Sequence, residues 1–129
     1  MNNNRSLMIL VAGPYRSGTG DKAELIEQNV KQMTDAALAI YRKGHLPVLG
    51  EWFALPLIEA AGSKKIGDQV FNEIFHPVAI QLIDHCDAVL RIGGPSAGAD
   101  EMVKEGEARG KIIFTSMEEI VNLNAWPEE

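Results

Sequence analysis

The stretch "LMILVAG", residues 7–13, constrains this chain more than any other. Its apolar residues run on without alternation and stop at a glycine. A strand with one wet face would alternate apolar and polar side chains. A short unbroken run reads instead as a strand covered on both faces, as in a parallel sheet. "DAVLRIGG" (87–94) repeats the pattern, and "HLPVLG" (45–50) and "KIIFT" (111–115) read as two more short strands. Pro47 suits an edge or a strand start, where no ladder donor is missed.

The intervening segments have helical spacing. Ile26, Val30, Met33, Ala37 and Ile40 recur at intervals of four, three, four and three, one face of an amphipathic helix ended by Gly44. Asp21 with Glu24 is the expected capping pair at its start. "EWFALPLIEAAG" (51–62) is apolar but interrupted by Pro56, and "SKKIGD" (63–68) is a polar loop. A helix resumes near Asp68 with Phe75, Val78, Ala79, Leu82 and Ile83 on one face, and Pro77 is expected at a helix start or kink. Another helix spans about 99–109 before Gly110, and Ser116 with Glu119 is expected to cap a short last one. Strands alternating with helices predict an α/β fold, a mainly parallel sheet with helices on both faces.

At 129 residues the chain suits one domain, 1–129, with a loose tail over about 122–129. The net charge of −6 argues against nucleic acid or a membrane surface as partner, since both call for basic patches. It leaves room for a small ligand held by local donors. The apolar run Leu7–Ala12 is far short of the ~20 residues a membrane span needs, and "MNNNRS" lacks a signal-peptide pattern. Cys86 is the only cysteine and is expected in the core. No disulfide or cysteine–zinc cluster follows from it, and a cytoplasmic location is expected.

In open α/β sheets ligands bind beyond the carboxyl ends of the strands. Two junctions stand there. "AGPYRSGTG" (12–20) places a glycine turn, Tyr15, Arg16 and Ser17 in one loop. Arg16 is suited to clamp a phosphate and Tyr15 to stack on a base or sugar; an ordinary solvated loop is the alternative. The loop matches neither the GxxxxGK[ST] phosphate loop nor the GxGxxG fingerprint. "GGPSAGAD" (93–100) puts Ser96 at the start of a helix, where outward amides form an anion site or simply a capped turn.

The motifs "MILVAGPY", "GHLPV", "CDAVLRI" and "SAGAD", in this order over roughly residues 7–115, resemble the nucleoside 2-deoxyribosyltransferase-like superfamily, which includes 2′-deoxynucleoside 5′-phosphate N-hydrolases. The resemblance implies a flavodoxin-like three-layer sandwich with four to five strands and a nucleoside or nucleotide ligand. It also implies a homodimer or larger homo-oligomer, and no metal or organic cofactor. Carried over residue by residue, Gly13, Tyr15, Arg16, Ser96 and Gly98 fall in the binding loops, with Ser17 beside them.

The catalytic acids of that superfamily do not carry over. Six residues on from Ser96 stands Met102, and eight back from Asp87 stands Ala79, where carboxylates are expected. Glu101 and Glu105 are the nearest substitutes. The first is about 100° around the helix from Met102 and the second lies one turn deeper; surface charge is the alternative reading of both. Cleavage or transfer of an N-glycosidic bond is the implied chemistry, and a non-catalytic nucleotide sensor on the same fold is the competing one. "GEWFALP" offers Trp52 and Phe53 as a base-binding wall, or as core or dimer contact, with Glu51 a spare carboxylate. His45, His76 and His85 lack metal-binding spacing; His76 faces either the pocket or solvent. Asp87 is expected to order its neighbours at the start of the third strand.

Overall fold

The computed structural model describes residues 5–124. Four strands, β1 (Met8–Ala12), β2 (Leu46–Val48), β3 (Ala88–Arg91) and β4 (Ile112–Phe114), form one sheet in the order β2-β1-β3-β4. All three pairings are parallel, with Leu10 opposite both Val48 and Val89, and Val89 opposite Ile113. Four helices lie between them: α1 (Ala23–Arg42) after β1, α2 (Gly50–Ala60) and α3 (Gln69–Ile83) in succession after β2, and α4 (Ala97–Ala108) after β3. A three-residue 3-10 turn, Met117–Glu119, follows β4. This is the flavodoxin-like three-layer sandwich, with its topological switch between β1 and β3.

The period of two along β1 sorts its side chains between the faces of the sheet. Ile9 and Val11 pack with Met33, Ala37 and Ile40 of α1. Leu10 and Ala12 pack with Leu82 and Ile83 of α3 and Ala99 and Met102 of α4. Cys86 is buried in this second cluster, and burial pushes its thiol up to about 11. At the amino end of the sheet Asp87 accepts from the Met8 amide at 2.8 Å and from Arg5 at 3.0 Å, pinning β1 to β3. His45 accepts from the Leu7 amide through Nδ1 at 3.0 Å and so donates through Nε2 to the Val121 carbonyl at 2.7 Å.

Several local expectations need correction. The strands are shorter than the apolar runs, because Gly50 already opens α2 and the glycines after β3 leave the ladder. Asp21 does not cap α1: its N-cap is Lys22, without a side-chain bond, and the Asp21 carboxylate is taken by Arg16. Ser116 makes no cap bond either, since Glu119 accepts from the Thr115 amide and hydroxyl instead. Pro56 and Pro77 lie inside α2 and α3 rather than at their starts. Each removes the donor for the carbonyl four residues back, and both rings lie exposed. The two helices tolerate this because they pack on each other around Ala54, Ile58 and Phe71. Of the expected tail, Leu123 donates to the Lys43 carbonyl and Asn124 to the Arg42 carbonyl, so the chain is tied to the end of α1. Residues 125–129 lie outside the described residues.

Candidate functional site

A cleft of about 390 Å³ opens at the carboxyl ends of β1 and β3, within the usual size of small-molecule sites. The loop after β1 forms one side with Gly13, Tyr15, Arg16 and Ser17. The first turn of α4 forms the floor with Ser96, Gly98, Ala99 and Met102. Helix α3 adds Phe71, Phe75, His76 and Ala79, and the first turn of α2 adds Gly50 and Glu51.

The two loops meet through their hydroxyls. Ser17 donates to the Ser96 Oγ at 2.9 Å, and Ser96 in turn accepts from the Ala99 amide at 3.1 Å as the N-cap of α4. Asn29 on α1 holds the first loop in place by donating to the Tyr15 carbonyl at 2.9 Å. Tyr15 of this loop continues into Phe75 and Phe71 of α3 as an aromatic wall, with centroids 5.0 and 4.8 Å apart along the series. His76 stands edge-on to Phe75 and covers Gly98 so closely that a Cβ there would lie 2.6 Å from its ring. A side chain at 98 would therefore have to push the His76 ring aside.

Arg16 is already engaged. Its guanidinium donates twice to Asp21, at 2.8 and 2.9 Å, and stands 5.6 Å over the Phe71 ring. Asp21 itself adopts φ +61°, unusual for a residue with a Cβ, between Gly20 and Lys22. The pairing holds the Asp21 carboxyl below its ordinary range. A phosphate at Arg16 would compete with this carboxylate.

Glu51 differs in every respect. It is 7% exposed, lines the cleft, and makes no hydrogen bond or ion pair among the described residues. No fully enclosed side-chain oxygen or nitrogen among those residues lacks a partner, so the carboxyl oxygens keep access to the cleft. Burial pushes this carboxyl up to about 7. Tyr15 is also raised, by burial first and then by the charge of Glu51.

Of the residues read as substrate-binding, Gly13, Tyr15, Arg16, Ser17, Ser96 and Gly98 converge on this cleft. Trp52 does not: it lies on the outer side of α2, 45% exposed. Glu101 projects to solvent from α4, and Glu105 is bonded to Arg109 a turn further along. Neither glutamate lines the cleft. A rotation of about 100° between neighbours carries Met102 inward to the core and leaves Glu101 facing away from it. Met102 and Ala79 do line it, so both positions where the superfamily's acids are expected belong to the wall. Ala79 lies against Gly50, where an added Cβ would come within 2.9 Å of it.

The sequence offered Glu51 only as a spare carboxylate and Phe75 only as part of a helix face, and Phe71 carried no sign of its place. For Glu51 the sign available was its place one residue after the glycine that ends the second apolar run, at the same sheet edge as the two loops. Among the described residues no group of three or more His, Cys, Asp or Glu is placed to hold a metal ion, and no helix is long and apolar enough to cross a membrane. No protein-family model matches the chain, and no curated protein matches it closely enough to report.

Proposed function

We propose that this protein binds a nucleoside or nucleotide in the cleft between the β1 loop and the start of α4. The observation that carries this reading is the convergence of an aromatic wall with a polar floor. Tyr15 and Phe75, backed by the buried Phe71, offer an aromatic surface for a base, while the Ser96 hydroxyl and the first amides of α4 offer donors for a sugar or an anion. The resemblance to the deoxyribosyltransferase-like superfamily supports the same ligand class.

Glycosyl transfer through a carboxylate at position 102 is not open to this chain. The Met102 thioether carries no charge to balance an oxocarbenium-like centre, and the Ala79 methyl group can neither donate nor accept a proton. These two residues favour a second reading, a non-catalytic nucleotide sensor on the same fold. Calorimetry with nucleosides and 5′-monophosphates, ribo and deoxy, tests the binding shared by both readings. Micromolar-range binding of at least one ligand is expected. Arg16→Ala is expected to weaken monophosphate binding by about tenfold or more, as for loss of a charge-assisted contact. No binding by any ligand would refute the reading, and equal monophosphate affinity in the variant would remove Arg16 from the site.

A further inference from the structure

Two carboxylates line the cleft among the described residues, and only one is free to act. Asp21 is exposed and held by both arms of Arg16. Glu51 is more than nine-tenths buried, has no partner in the protein and opens onto the cavity. A carboxyl group in such surroundings holds its proton more tightly than an exposed one, because the walls around it solvate a charge poorly and no cation is bonded to it. Its place in the first turn of α2 adds the favourable end of a helix dipole, which eases ionisation once the proton has been given up. The aromatic wall from Tyr15 to Phe71 shares the cavity with it, so a base stacked there is within the same enclosure.

We propose that Glu51 is a catalytic residue, the general acid of an N-glycosidic hydrolysis in this cleft. The inference rests on the nucleoside reading above and adds the reaction to it. The bond between the anomeric carbon and the base nitrogen breaks, and its electron pair passes to the base. The Glu51 proton goes to a ring nitrogen of that base, which leaves neutral. A water oxygen bonds to the anomeric carbon and its surplus proton passes to solvent, from which Glu51 is reprotonated. No oxidant, reductant or second substrate is needed. Water is the acceptor because Met102 and Ala79 leave no carboxylate at the positions where a glycosyl ester would form.

The other titratable groups of the cleft are Tyr15, Arg16 and Asp21 from the β1 loop and His76 from α3; α4 contributes only Gly98, Ala99 and Met102 beside Ser96. Arg16 and Asp21 offset each other, and the part of the pH response owed to Glu51 is the part that Glu51→Gln removes while His76 stays in place. The acid form of Glu51 is the working form, and burial places its midpoint near 7.

The experiment measures release of free base by chromatography from a panel of purine and pyrimidine nucleosides and their 5′-monophosphates, alongside calorimetric affinity. Wild type is expected to hydrolyse at least one of them, with kcat falling about tenfold per pH unit above pH ~7. Glu51→Gln, which keeps the size of the side chain, is expected to lower kcat about 100-fold or more while ligand affinity changes less than about threefold. Glu51→Asp is expected to retain part of the rate. Wild-type binding without base release overturns the proposal and leaves the binding reading intact. Full activity in Glu51→Gln overturns it as well, and so does a wild-type rate independent of pH between 6 and 8, a result that needs no variant to fold. Absence of binding by the whole panel defeats both readings together.

Discussion

The sheet with α1 and α4 and the paired helices α2 and α3 are built by different rules. In the first region Ile9, Leu10, Val89 and Leu90 are fully buried, each held between two layers. In the second, only Ala54, Ile58 and Phe71 form a buried cluster, both helices contain a proline, and Trp52, Phe53 and Leu57 remain exposed. The cleft lies where the two meet. The sheet side brings the Ser17–Ser96 hydroxyl pair, the helix N-terminus and Tyr15; the paired helices bring Phe71, Phe75 and Glu51. A frame of buried central strands thus carries the fixed polar floor. The helix pair, with more of its apolar surface exposed, supplies the side chain whose chemistry burial has altered.

The contrast should appear first in stability. Leu90→Ala, which empties a site inside the sheet, is expected to cost about 2–5 kcal/mol, whereas Leu57→Ala on the exposed side of α2 should stay within about 0.5 kcal/mol. Urea denaturation of both variants checks this, and equal losses would erase the distinction between the regions. The next effect belongs to Glu51. The folded state holds its proton more tightly than the unfolded chain, with a midpoint near 7 against the ordinary 4.5. Its contribution is therefore complete below pH ~4.5 and is lost as pH rises through about 7. Glu51→Gln is accordingly expected to be more stable than wild type at pH 8, by at most about 3 kcal/mol, and to show no such advantage at pH 4. Thermal melts of the two proteins across this range measure it, and a difference that does not change with pH would mean that Glu51 is not held protonated by burial.

The smallest effect separates the two carboxylates of the cleft. Asp21 is exposed and tied to Arg16, so Asp21→Asn removes a competitor for the guanidinium. A gain of about a few-fold in affinity for a nucleoside 5′-monophosphate, with nucleoside affinity unchanged, is the calorimetric result expected of a solvent-screened pair. Equal gains for both ligands would place the phosphate elsewhere.

Much of the frame was legible from residues 7–13 and 87–94, because short apolar runs rich in Val, Ile and Leu and ended by glycine fit a strand buried on both faces. The two binding loops were legible for the same reason: a parallel sheet sends the chain back to one edge after each crossover, so the loops after β1 and β3 had to be neighbours. The α2–α3 pair was harder to read. Pro56 and Pro77 looked like boundaries, yet both helices run through them, since mutual packing outweighs one lost hydrogen bond in each. Asp21 looked like a cap because its spacing to Glu24 is right, but a bidentate arginine five residues back is the stronger partner.

The amino-acid sequence by itself determined the strands, their order of appearance, the Ser96 cap on α4 and the absence of carboxylates at 79 and 102. Those properties depend on neighbours within a few residues or on side-chain identity alone. Only the tertiary structure decided that Glu51 is buried while Trp52 beside it is not, that Glu101 and Glu105 face away, and that Arg16 meets Asp21. Accessibility and charge pairing depend on which surfaces from distant parts of the chain come to rest against one another. The ionisation of Glu51 is set by the walls of the cleft around it, among them Tyr15 from one end of the described chain and Met102 from near the other.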